Sequence, residues 1–280
     1  MATRELRGKV IVITGASSGI GAATAVACGK AGMGVVLAAR REAELMAVAD
    51  RVRASGASSG GQAWCVRCDV TVEDDVAGLF EAAVRQAGRV DAVFANAGYG
   101  LFKPMLETSD AEDRAIFETN YFGSNRTVRH GVAALRATRE KHGDALGHVL
   151  VCSSSASEIG VPRMGPYCAT KAAQDACASA LRAELAQEGV AVTSVHPVGT
   201  STEFFGVMAD QSGDGSIRAN TPVPLSQTSE QVAAAIVRAL RRPRAEVWPA
   251  PWARWMLAMA TLVPSFGAFA MARHERKTGG

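Results

Sequence analysis

The chain has 280 residues, of which 48% are hydrophobic and 20% charged, and its net charge is +3. That length suits one large domain, or one domain with a tail, and the apolar share is enough for a substantial core. The small charge, with no run of five basic residues, argues against nucleic acid as a partner. The densest cluster, residues 238–244, holds four arginines set around Leu240 and Pro243.

The amino terminus carries charge and then a short apolar run that breaks into a glycine motif, so it reads as a first strand and not a signal peptide. Residues 9–14 are apolar and β-branched, as in a buried parallel strand. Gly15-Ala16-Ser17-Ser18-Gly19-Ile20-Gly21 follows, and residues 22–30 are alanine-rich and helical in preference. Glycines between a strand and a helix permit a tight turn and let a pyrophosphate approach backbone N–H groups at the helix start. Gly15, Ser17, Ser18, Gly19, Ile20 and Gly21 are therefore the expected contacts of a dinucleotide. Residues 34–39 form the second strand, which ends in Ala39-Arg40-Arg41. No carboxylate stands there to bond a ribose 2′-hydroxyl, whereas two guanidiniums suit a 2′-phosphate. Arg40 and Arg41 thus predict NADP(H) over NAD, unless they merely begin the solvated helix expected over 42–53.

Residues 54–61 read as a flexible surface loop and 62–66 as a third strand leading to Asp69 and Val70. Thr71 to Asp74 has the form of a capping box for a helix reaching Ala87. A fourth strand, 90–95, ends in Asn96-Ala97-Gly98, whose small residues would let a cofactor lie against the strand end. Ser109 and Glu112 form a second capping box. The long helix after it contains Asn120, a middling helix former, which reads either as a packing residue or as a backbone kink that holds a water.

Residues 148–152 make a fifth strand and 165–187 a helix carrying Tyr167 and Lys171, four residues apart on one face. A tyrosine has an ordinary pKa of about 10, and a nearby ammonium favours its phenolate. Ser154, thirteen residues upstream of Tyr167, could hold a carbonyl oxygen or hydroxyl beside it. Residues 190–196 make a sixth strand that runs into Pro197-Val198-Gly199-Thr200-Ser201-Thr202. Residues 203–226, rich in Gly, Ser, Asp and Pro, stand where an active-site lid would be placed. Thr228 and Gln231 cap a helix reaching Arg241, and 246–248 is the last strand. Six or seven strands alternating with helices give a doubly wound parallel α/β sheet, a Rossmann fold with helices on both faces. The motifs fall at the carboxyl ends of its strands, where such sheets bind ligands.

Together these residues resemble the short-chain dehydrogenase/reductase family of the single-domain type, over about residues 8–248. Thr14 to Gly21 is similar to the family's cofactor glycine motif. The resemblance implies that Asp69 and Val70 contact adenine and that Asn96, Ala97 and Gly98 stabilise the central sheet. Asn120, Ser154, Tyr167 and Lys171 match the catalytic tetrad. Tyr167 would give a proton to a carbonyl or take one from an alcohol. Lys171 would bind the nicotinamide ribose and lower the tyrosine pKa. Ser154 would orient the substrate oxygen, and Asn120 would hold a relay water. Ser153 and Ser155 flank Ser154, and only the spacing chooses among them. The family's Asn-Asn becomes Ala95-Asn96, with little expected effect. Its Pro-Gly becomes Pro197-Val198, with the glycine moved to Gly199. Pro197, Gly199, Thr200 and Thr202 remain the expected nicotinamide-side contacts, on weaker footing than the tetrad.

The expected activity is NADP-dependent hydride transfer between the nicotinamide and a carbonyl/secondary alcohol pair, with a hydrophobic substrate suggested by the apolar tail. A non-catalytic NADPH-binding sensor or scaffold is the alternative. The expected division is an oxidoreductase domain over 1–250 and an apolar helical tail over 251–280. Residues 255–272 carry no charge and lie near Trp248, Trp252 and Trp255. The tail reads as a helix over the substrate pocket or against a subunit partner, or as a peripheral membrane contact. The resemblance also implies a homodimer or homotetramer. Cys28, Cys65, Cys68, Cys152, Cys168 and Cys177 lack the spacing of a disulfide framework, which places the chain in the reducing cytoplasm. Cys65 and Cys68 lie at odd separation on a strand, facing opposite sides, so no metal is expected there. His196 reads as structural.

Overall fold

The computed structural model describes residues 3–143, 147–201 and 226–263, with isolated positions at 208, 212, 265, 267, 269, 271–273 and 276. The strands are β1 (Val10–Thr14), β2 (Gly34–Ala39), β3 (Gln62–Arg67), β4 (Ala92–Ala95), β5 (His148–Cys152), β6 (Ala191–Val195), β7 (Thr200–Ser201), β8 (Gln227–Thr228) and β9 (Glu246–Val247). The helices are α1 (Gly19–Lys30), α2 (Glu42–Gly56), α3 (Glu73–Ala87), α4 (Asp110–Phe117), α5 (Gly123–His142), α6 (Gly165–Glu184), α7 (Ser229–Arg241) and α8 (Pro251–Leu262). Seven strands form one sheet in the order β3-β2-β1-β4-β5-β6-β9, parallel throughout, while β7 and β8 pair separately.

Alternation along the central strands builds two cores. Ile11, Ile13, Val35 and Leu37 face α1, α2 and α7, packing with Ala25, Val52 and Ile236. Val10, Val12, Val36 and Ala38 face the opposite way, toward α3, α5 and α6, and pack with Leu79, Leu135 and Ala178. Successive side chains on a strand point to opposite faces, so a sheet covered on both sides needs the unbroken apolar runs read from the sequence. Cys65 packs against the first core and Cys68 belongs to the second, which separates the two thiols by the thickness of the sheet.

The amino-terminal edge of the sheet is tied by a buried carboxylate. Asp91 is fully buried and its Oδ2 accepts the Val10 N–H at 2.8 Å. Arg89 clamps it with Nε on Oδ2 and Nη2 on Oδ1, both at 2.7 Å.

Three local expectations are corrected. Residues 54–61 are not a flexible loop: α2 runs on through Gly56, and the turn after it packs on α1. A Cβ on Gly61 would meet the Gly29 oxygen at 2.5 Å, and one on Gly56 would meet it at 2.9 Å. The glycines serve close approach there. Thr71 does not cap α3, whose N-cap is Val72 with no side-chain bond. Its hydroxyl donates instead to Asp69 Oδ1 at 2.8 Å, while Asp75 Oδ2 accepts the Asp69 N–H at 2.9 Å. The boxes at Ser109–Glu112 and Thr228–Gln231 do form. The expected helix over 165–187 ends at Glu184 and continues as a 3₁₀ turn, Ala186–Glu188, before left-handed Gly189. Most of the expected lid lies outside the described residues. Within it, Met208 is buried, and the Ser212 hydroxyl accepts the Phe102 N–H at 2.9 Å.

Candidate active site

At the carboxyl end of β1 the chain turns through Gly15, with φ of +65°, into α1. A Cβ on Gly21 would sit 2.3 Å from the Gly15 oxygen, so this turn closes only with glycine. Asn96 braces it from the end of β4: its Nδ2 donates to the Thr14 and Gly15 carbonyls at 3.0 and 3.1 Å. Ser18, the N-cap of α1, makes no side-chain cap bond. Instead the Arg41 Nη2 reaches from the end of β2 to the hydroxyls of Ser17 and Ser18, each at 3.1 Å. Arg40 leans the other way, 3.9 Å from Asp69 at the end of β3. Val70 is buried against α5. One corner of the sheet edge thus gathers two guanidiniums, two hydroxyls and a helix start, with the Asp69 carboxylate beside Arg40 and the Glu44 carboxylate 3.7 Å from Arg41.

The second cluster lies at the ends of β4, β5 and β6. Tyr167 and Lys171 stand one turn apart on α6, both buried, with the ammonium 5.6 Å from the phenol ring centroid. Of the three adjacent serines, Ser154 hydrogen-bonds the Tyr167 phenol. Ser153 donates to the Lys171 carbonyl at 3.3 Å, and the Ser155 N–H goes to the Pro197 carbonyl at 3.0 Å. Leu101, Ile116, Met164 and Ala156 pack around Tyr167, giving the phenol an apolar wall.

Burial dominates the electrostatics. It pushes the Tyr167 phenol well above its ordinary value, and the Ser154 bond only partly offsets this. The expected downward shift from Lys171 is therefore reversed in the protein alone. The phenol stays protonated at neutral pH, the form that can donate a proton. Burial likewise lowers Lys171, opposed only by the charge that Cys152 carries once its thiol ionises.

Asn120 lies fully buried in a π-turn, Glu118–Phe122, between α4 and α5. The kink expected from its helix propensity is thus a local π-helix, a form common at functional sites. Its Oδ1 accepts the Tyr99 N–H at 3.0 Å, and its Nδ2 donates to the Tyr99 carbonyl at 2.9 Å and Thr170 Oγ1 at 3.1 Å. Lys171 Nζ donates to the Cys152 carbonyl at 2.8 Å and to Gln174 Oε1 at 2.9 Å, and Gln174 Nε2 donates to the Asn120 carbonyl at 2.7 Å. Sequence reasoning missed Gln174. Its signal was its spacing: 167, 171 and 174 recur on one helical face.

His196 is fully buried, stacked on Trp248 with centroids 4.3 Å apart and planes at 5°, and its Nδ1 lies 3.3 Å from the Ser154 carbonyl. It supports the serine from behind. In the loop after β6, Gly199 has φ of +42° and Thr200 Oγ1 is buried with no hydrogen-bond partner among the described residues. Thr202 lies outside the described residues. The exposed face of α8 carries Trp252, Trp255, Met256, Met259 and Leu262, while Ala253 and Leu257 face inward, and the helix lies against Ser155–Ser157.

A seven-stranded parallel sheet with a glycine turn at one strand end and a serine–tyrosine–lysine group at another defines an α/β oxidoreductase. A profile of the short chain dehydrogenase family matches residues 9–212. The chain belongs to the short-chain dehydrogenase/reductase family. It is 32% identical to an uncharacterized oxidoreductase of Listeria innocua over 85% of this chain and 92% of that protein. A 35% identical match to the glycine betaine reductase ATRR of Emericella nidulans also covers 85% of this chain, but the chain spans only 18% of that longer relative. Among solved structures, a short-chain dehydrogenase/reductase from Burkholderia phymatum in complex with NAD superposes with a TM-score of 0.77 at 25% identity, covering 94% of this chain and 96% of that one.

Proposed function

We propose that the chain is an NADP(H)-dependent reductase or dehydrogenase of a carbonyl/secondary alcohol pair, with Tyr167 as the proton donor and acceptor. The observation that carries this reading is the Ser154–Tyr167 hydrogen bond beside the Lys171 ammonium, at the same sheet edge as the glycine turn. Three features fit a nicotinamide dinucleotide. Gly21 lets the turn after β1 close tightly against the Gly15 carbonyl, as a dinucleotide-binding turn requires. Ser18 leaves the first N–H groups of α1 without a side-chain cap. The Thr200 hydroxyl is buried without a partner among the described residues. The Arg41 bonds to Ser17 and Ser18 favour a 2′-phosphate, since guanidinium and hydroxyls converge and the residues that follow Ala39 are arginines where a carboxylate would bond a ribose hydroxyl.

When bound, the reduced nicotinamide supplies the hydride that the carbonyl carbon receives. Tyr167 gives the carbonyl oxygen its proton and becomes the phenolate, to be reprotonated from solvent. Ser154 holds the same oxygen through its hydroxyl. Lys171 holds positive charge beside the phenolate as it forms. The reverse direction uses the same groups with Tyr167 as base. The apolar wall of Leu101, Ile116 and Met164 favours a hydrophobic substrate.

The proposed division keeps a catalytic domain over 1–250 and a tail over 251–280. Among the described residues no helix is long and apolar enough to cross a membrane. The outward apolar face of α8, with Trp255 75% exposed, supports a peripheral contact of that helix with a membrane surface or a second copy. A homodimer or homotetramer is proposed with it. Six cysteines as free thiols support a reducing cytoplasm.

The test is a titration of NADPH against NADH on the wild type and on Arg41→Ala and Arg40→Ala, followed by a panel of ketones and aldehydes. NADPH should bind at least ~10-fold more tightly, and Arg41→Ala should remove most of that margin, as for a lost charge-assisted bond. Equal affinity for NADH would overturn the cofactor preference. Tyr167→Phe should bind NADPH normally and lose turnover by ~10²-fold or more. NADPH binding without turnover of any carbonyl would favour a sensor.

A further inference from the structure

We propose that Gln174 is a positioning residue that locks the Lys171 ammonium to the π-turn at Asn120. This deepens the reading above and rests on it for its catalytic meaning, though the lock itself does not.

A lysine ammonium has three N–H donors and no acceptor. Two are committed here, one to the Cys152 carbonyl at the end of β5 and one to Gln174 Oε1. One donor remains, on an ammonium 5.6 Å from the centre of the Tyr167 ring. Gln174 is 2% exposed, and its carboxamide has a forced orientation. Its oxygen faces a cation that can only donate, and its nitrogen faces the Asn120 carbonyl, which can only accept, at 2.7 Å. Exchanging the two atoms would leave both contacts repulsive. The amide therefore joins α6, the helix of Tyr167 and Lys171, to the π-turn by direct protein bonds.

The resemblance to the family assigned Asn120 a relay water reaching toward Lys171. In this chain Gln174 spans that interval itself and occupies one lone pair of the Asn120 carbonyl. Asn120 is held in turn by Tyr99 and Thr170, so the chain of bonds ends on a rigid support. The titratable groups facing Lys171 are the Tyr167 phenol on its own helix and the Cys152 thiol from β5. Burial pushes both of these up and keeps them neutral, so Gln174 is the acceptor that a substitution can change cleanly.

Lysine carrying ¹³C at Cε reports the ionisation of Lys171 by nuclear magnetic resonance in the whole chain, with Lys171→Met assigning the signal. Gln174→Met keeps the volume and removes both bonds. Its Lys171 midpoint should fall by about one pH unit, because the buried cation loses an acceptor. Gln174→Glu keeps an acceptor for the ammonium, adds a negative charge and cannot donate to Asn120; its midpoint should rise. With any ketone that the wild type turns over, both variants should lose kcat by about tenfold, with NADPH binding kept. Midpoints unchanged in both variants would overturn the proposal, even with a lowered Tm. If Gln174→Met does not fold, an unmoved midpoint in Gln174→Glu overturns it alone. Should Tyr167→Phe keep turnover while the midpoints move as expected, the lock stands and the assignment of Tyr167 falls.

Discussion

At the scale of single residues, burial sets the proton affinities of the enclosed groups more than neighbouring charge does. Tyr167 shows this in the site and His148 shows it at the other end of the sheet. His148 is fully buried on β5, and burial lowers it to about 3. Its Nε2 lies 2.8 Å from Thr193 Oγ1, whose own proton goes to the Arg244 carbonyl, so the ring donates from Nε2 and is neutral. An unfolded histidine titrates near 6.5. The neutral folded form is thus fully accommodated above about pH 6.5, and stability is lost as pH falls from there toward 3, at up to ~1.4 kcal/mol per pH unit. Urea melts from pH 7 to pH 4 should show this slope, and His148→Gln should flatten it. The sequence reading placed His148 at the start of a strand, but burial of its ring is a property of the packed sheet.

At the scale of elements, the strands and most helices were legible because a sheet covered on both faces needs continuous apolar runs. Both cores follow from residue parity along β1 and β2. Legibility failed where side chains had rival partners. Thr71 has the form of a cap, yet Asp69 takes its hydroxyl at 2.8 Å and α3 begins without it. Thr228 has no such rival and caps α7. Thr228→Ala should therefore cost about 1 kcal/mol in a denaturant melt, whereas Thr71→Ala should act through the Asp69 turn. The Arg89–Asp91 clamp was invisible to pattern reading because it joins β1 to the strand that follows it in space. Asp91→Ala removes the acceptor of the Val10 N–H and of two Arg89 guanidinium bonds. A loss of about 3–5 kcal/mol is expected, and a loss under 1 kcal/mol would show that solvent reaches the pair.

At the scale of the whole molecule, the proposed catalytic residues and the Arg89–Asp91 clamp sit on opposite edges of one sheet. The carboxyl edge gathers Gly15, Arg41, Asn120, Ser154, Tyr167 and Lys171 from separate stretches of chain, and parallel topology alone brings those strand ends together. That gathering was readable from the motifs once the strands were placed. Gln174 was not, since its role depends on where the π-turn sets the Asn120 carbonyl. A π-turn amounts to one residue inserted into a helix. Removing Tyr121 would let α4 and α5 run on as a single uninterrupted helix, and each residue of register rotates a side chain by ~100°. The shortened chain would keep its sheet and both cores yet carry Asn120 away from Tyr99, Thr170 and Gln174. A single deleted codon could thus separate folding from catalysis.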